Sequence, residues 1–157
     1  MSMQQSFFSI FVCVFLVGSL PANAVDEVNV NKEGFAVHGM DVVSYHGTGL
    51  PLSGTNKHVG EFEGAKYRFA SADNLAKFKQ NPAMYVPAYG GWCAYGVRVG
   101  KKFDVDPNVY RLKEGRLFLQ LDKGTQKVWL NQVEKNIAIA DRLWPRLKEV
   151  SPKTLNQ

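Results

Sequence analysis

The sequence predicts a small single domain of the α+β class, with short antiparallel hairpins packed against two or more helices. Three observations predict it. Two stretches alternate apolar and polar residues on either side of a Glu-Gly pair. In the first, His58 to Ala70, Val59 and Phe62 precede Glu63-Gly64, and Tyr67 and Phe69 follow it. In the second, Tyr110 to Leu121, Leu112 precedes Glu114-Gly115, and Leu117, Leu119 and Leu121 follow. A period of two around a tight turn is the pattern of a half-buried hairpin. The third observation is the stripe Trp129, Val133, Ile137, Ala140 and Trp144, whose steps of four and three mark one amphipathic helix. Its apolar face is expected to lie on a sheet made by the two hairpins, with Pro145 ending it.

The remaining elements follow in chain order. Residues 1–24 read as a secretory signal peptide: Phe7 to Leu20 is an apolar run too short to span a bilayer, and Ala22-Asn23-Ala24 is a small-x-small cleavage triplet. No Lys or Arg precedes the run. Val12 before Cys13 argues against a lipoprotein anchor. Residues 25–33 form a polar lead-in, 34–147 the domain and 148–157 a loose tail. Phe35-Ala36-Val37 and Val42-Val43 are short apolar stretches around Gly39, and Gly47-Thr48-Gly49 closes that region as a loop. Ser71 is placed to cap a helix reaching about Asn81, where Pro82 stops it, with Leu75 and Phe78 inward. Pro82 to Val97 is rich in Pro, Gly and aromatics and reads as irregular and packed.

Composition excludes several functions. The 19 Lys and Arg against 14 Asp and Glu give a net charge of +5, but the basic residues are dispersed, without the stripe of a nucleic-acid binder. There is no G-x-S-x-G elbow, H-E-x-x-H pair or phosphate-binding glycine loop. Cleavage after Ala24 would remove Cys13 and leave Cys93 as the one thiol of an exported protein, periplasmic or secreted, with no stable membrane insertion. A single thiol in an oxidising compartment is a free cysteine with a use or a buried packing residue.

Cys93 lies in Tyr89-Gly90-Gly91-Trp92-Cys93-Ala94-Tyr95-Gly96. Paired glycines permit unusual backbone conformations and close approach. Such a loop suits a thiolate ligand, a redox centre or an aromatic corner. The histidines are His38, His46 and His58, two of them in the run His38 to His46. Imidazole, carboxylate and thiolate together suit copper or zinc, although no strict metal spacing is present.

The runs GMDVVSYHGTGLPLSG, YRFASADNLAKFKQNPAMY, YGGWCAYGV and LWPRL resemble the exported YHS-domain proteins over essentially all of Gly34 to Leu147. The resemblance implies a YHS-like fold. It also implies metal or redox chemistry at Cys93, the position where relatives of the single-cysteine type carry selenocysteine. The wider superfamily binds metal through cysteines that are absent here: Ser44, Ala70 and Asn74 stand at the matching positions. A metal site would have to be rebuilt from Cys93 with Asp41, Tyr45 and His46. The expectation is therefore a binding domain for a transition metal, copper or zinc, or for a small ligand at Cys93. The Cys93 loop would then cover a short strand ending the first motif, and the thiol would share a cleft with at least one of those three residues. Two alternatives stand beside it. One is a thiol redox protein with Cys93 activated by Arg98, Lys101 or Lys102. The other is a structural or interaction domain with Cys93 buried.

Overall fold

The computed structural model describes residues 27–47 and 49–157; the expected signal peptide over residues 1–24 lies outside them. The protein is an α+β domain. Its described residues form three antiparallel two-stranded sheets and seven helices, together with two 3-10 turns.

Strands β1 (Met40–Asp41) and β2 (Leu52–Ser53) pair across helix α1 (Val42–Gly47). Strands β3 (Thr55–Phe62) and β4 (Ala65–Phe69) form the first long hairpin, and β5 (Asp106–Lys113) and β6 (Arg116–Gln120) the second. Both turn where expected. Glu63 and Gly64 have φ of 48° and 77°, and Glu114 and Gly115 have 51° and 74°. Two successive positive φ values match the twist of the flanking strands, and a glycine second makes that inexpensive. The two hairpins do not join into one sheet. They meet through side chains: Tyr67, Phe69, Leu117 and Leu119 enter one buried core with Val42, Tyr45, Phe78 and Cys93.

Helix α2 (Ala72–Gln80) begins at Ser71, whose hydroxyl accepts the Asn74 amide N–H. Phe78 is buried and Leu75 packs partly buried beside it. The aromatic segment is more helical than the sequence suggests. It folds into α3 (Pro82–Tyr85), a 3-10 turn (Ala88–Gly91) and α4 (Ala94–Arg98). Gly90 is required there: at φ 60° a Cβ would lie 2.0 Å from the Glu27 carbonyl oxygen. That approach belongs to a strap from the nominal lead-in. Asn29 N–H donates to the Gly90 carbonyl at 2.8 Å, and Val28 and Asn29 are buried.

The terminal stripe occupies two helices, α5 (Lys123–Asn131) and α6 (Val133–Leu147), broken at Gln132 with φ −143°. The Asn136 side chain donates to the Trp129 carbonyl at 2.8 Å, occupying an acceptor that the break leaves without its helical partner. Trp129 is fully buried, while Val133, Ile137 and Trp144 pack half-buried around a second core with Tyr89, Trp92 and Phe118. Pro145 lies inside α6, not at its end. The expected loose tail is folded: α7 (Pro152–Leu155) is capped by Ser151, and Asn156 hydrogen-bonds both the N–H and the carbonyl of Lys102. Among the described residues no helix is long and apolar enough to cross a membrane.

Candidate functional site

Cys93 is fully buried and its sulfur is enclosed by hydrogen bonds. The thiol donates to the Gln120 Oε1 at 3.4 Å and accepts the N–H groups of Leu121 at 3.3 Å and Gly96 at 3.5 Å. The residue caps α4 through its sulfur. None of these bonds reaches Asp41, Tyr45 or His46. Burial raises the thiol pKa above its ordinary value, and the amide donors offset this only in part. The cations that follow it in sequence are engaged elsewhere. Arg98 Nε donates to Asn136 at 3.1 Å, Lys101 reaches the Gln157 carbonyl at 2.9 Å, and Lys102 reaches the Lys148 and Val150 carbonyls at 2.7 and 2.8 Å.

Asp41 is also buried, and its carboxylate is occupied. One oxygen accepts the Val43 N–H at 2.9 Å, capping α1; the other accepts the Ala70 N–H at 2.8 Å and the Asn74 amide at 2.7 Å. Ser44 hydroxyl donates to the Asp41 carbonyl at 2.6 Å. Thus Ser44, Ala70 and Asn74 all bond to one residue. Tyr45 points into the core: its hydroxyl donates to the Pro107 carbonyl at 2.8 Å and its ring meets Tyr110 edge-on at 4.9 Å. Burial pushes its hydroxyl pKa well up. The first motif leads into helix α1 and not a strand, so the aromatic loop does not cover a strand tip.

His46 is placed differently. It lies in the last turn of α1, with its ring edge-on to Tyr85 at 5.3 Å between centroids. It lines a cavity of about 320 Å³ together with Val43, Leu52, Asn74, Lys77 and Tyr85. The imidazole Nε2 is buried without a hydrogen-bond partner among the described residues. Burial lowers its pKa, so the ring is held neutral. Asn74 and Lys77 stand one helical turn apart on α2 and so share a face. Lys77 has no ion pair among the described residues, and no carboxylate lines the cavity. Leu52 and Met84, both substantially exposed, supply apolar lining.

Of the four residues singled out from sequence, only His46 lines this cavity; Asp41 supports its wall through Asn74. Lys77, Tyr85 and Met84 were not anticipated as site residues, though the i, i+3 spacing of Asn74 and Lys77 was available as a signal. Among the described residues no group of three or more His, Cys, Asp or Glu is arranged to hold a metal ion. No protein-family model, curated protein or solved structure matches the chain.

Proposed function

We propose that the protein is an exported YHS-like binding domain that holds a small amphipathic anion in the cleft beside His46. The observation that carries this reading is His46 itself: its neutral imidazole lines a cavity of about 320 Å³ that holds Lys77 and no carboxylate, and its buried Nε2 has no hydrogen-bond partner among the described residues. Buried polar atoms almost always have partners, and a cavity-lining side chain with one left unpartnered is a candidate for ligand contact. Lys77 supplies positive charge unopposed by any lining carboxylate, and Val43, Leu52 and Met84 supply apolar wall for an alkyl or aryl body. The YHS-like part of this reading rests on the sequence resemblance alone. Ser44, Ala70 and Asn74, where the chain departs from the wider superfamily's cysteines, all bond to Asp41 at the edge of this cleft.

Copper or zinc does not fit the residues present. The cleft offers one imidazole and neither thiolate nor carboxylate, because the Cys93 sulfur and the Asp41 oxygens are committed to internal bonds. A structural role for Cys93 is favoured by its complete burial and its three hydrogen bonds. The test is calorimetric titration of the mature protein with a short straight-chain carboxylate such as hexanoate. Binding should be saturable, about tenfold weaker in Lys77→Ala from loss of a charged contact, weakened in His46→Ala and unchanged in Cys93→Ser. Absence of binding, or binding indifferent to Lys77 and His46, would overturn the proposal.

A further inference from the structure

Helix α3 borders two cavities. Besides the His46 cleft, a cavity of about 220 Å³ lies against it, and the two share Met84 in their walls. Consecutive residues fall one to each: Tyr85 lines the His46 cleft and Val86 the other cavity. Met84 is 51% exposed, and its unbranched thioether chain adapts easily to an irregular apolar neighbour. Beyond Met84 the walls are Ala83, Val86, Pro87 and Ala88, with Gly115 from the tip of the second hairpin. Arg116 is the one charged residue of that lining, and it is already spent. Its two terminal nitrogens donate to the two carboxylate oxygens of Asp141 at 3.0 and 2.7 Å. The two cavities therefore differ in character: His46, Asn74 and Lys77 line the first, and apolar side chains dominate the second.

We infer, resting on the reading of the His46 cleft as an anion site, that its ligand is a long-chain acyl carboxylate. The head lies at His46 and Lys77, and the chain passes over Met84 into the cavity walled by Ala83, Val86, Pro87 and Ala88. The distribution of charge sets this direction. A carboxylate finds an unopposed cation only at the Lys77 end, because Arg116 at the other end is neutralised by Asp141. An alkyl chain gains in proportion to the apolar area it removes from water, and the continuous apolar surface runs from Leu52 and Met84 onto Val86 and Ala88. A short acid would fill the cleft and leave that second surface in water.

Hexanoate and decanoate distinguish the two cavities, titrated separately by calorimetry and by amide NMR of the labelled protein. Decanoate should bind at least about tenfold tighter, the gain from burying about two of its four extra methylenes. Both acids should move the amides of Asn74 and Lys77, and decanoate alone those of Ala88 and Gly115. Ala83→Gln, at an exposed position of α3 outside the His46 cleft, places a polar side chain in the second cavity without adding charge. It should bring decanoate down to nearly the affinity of hexanoate and leave hexanoate unchanged. Lys77→Ala should weaken both acids by a similar factor, because they share the head. If hexanoate binds, three results overturn the long-chain inference alone: equal affinity of the two acids, unmoved Ala88 and Gly115 amides with decanoate, or an Ala83→Gln variant that keeps the full gain with length. Binding of neither acid overturns the anion reading and the inference together.

Discussion

Cys93 and His46 carry the two most reactive side-chain types in the domain, and the fold treats them in opposite ways. The Cys93 sulfur has no exposed surface and three hydrogen-bond partners, one side-chain oxygen and two backbone amides. The His46 ring is half-buried at a cavity wall, and its Nε2 has none among the described residues. A rare residue type draws attention in a sequence. What decides its use is whether its polar atoms are already spent. The thiol's are spent on joining α4 to the end of β6; the imidazole's are not. Asp41 follows the thiol, because its three N–H partners make it the hub of the cleft wall and leave it little capacity for a ligand.

The comparison can be broken most severely at Asp41. Asp41→Ala leaves the Val43 and Ala70 N–H groups and the Asn74 amide without their acceptor. Each charged hydrogen bond contributes about 1.5–3 kcal/mol, so the three together predict a loss of about 4.5 kcal/mol or more in chemical denaturation. A loss under about 1 kcal/mol would mean that water replaces the carboxylate easily and that the hub is not structural. Cys93→Ser should come next, at about 1–2 kcal/mol, because a smaller, more polar hydroxyl replaces a snugly packed thiol. Unchanged stability with lost ligand binding would reverse the assignment of the two residues. His46→Phe should fall within about 0.5 kcal/mol of wild type, since it removes an unpartnered nitrogen and keeps a ring against Tyr85.

The smallest expected effect is in the pH dependence. Burial lowers the folded pKa of His46 below its ordinary 6.5. Below about pH 6.5 the unfolded chain therefore binds more protons at this position than the folded one, and stability falls as pH falls toward the folded pKa. Above pH 6.5 the residue contributes no slope. His46→Phe should flatten this part of the acid limb; an identical acid limb in the variant would show that the ring is solvated as fully when folded as when unfolded.

Much of the fold was legible because it follows from local rules. Both hairpins and the Ser71 cap came from alternation, Glu-Gly turns and a single hydroxyl at an N-terminus. The break at Gln132 was not legible, since the apolar stripe runs through it from Trp129 to Val133 without a change of spacing. The carbonyl that the break frees is taken by the Asn136 side chain, a tertiary compensation. The C-terminal helix was missed for a similar reason: residues 148–157 look polar and loose, but they are held by Lys101 and Lys102 from a distant segment. Of the site, the His46 side chain was legible and its neighbours were not. Which polar atom lacks a partner depends on the whole packing arrangement and has no signature in residue order. The same holds for Cys93, whose loop reads equally well as a ligand site and as a packed corner.

One amide NMR titration of the labelled protein with hexanoate reports both regions at once. Amides of Gly47, Asn74 and Lys77 should shift saturably, while those of Gly96 and Leu121, which hold the Cys93 sulfur, stay in place. Movement at Gly96 and Leu121 with Gly47, Asn74 and Lys77 unaffected would contradict the assignment of binding to His46 and return it to Cys93.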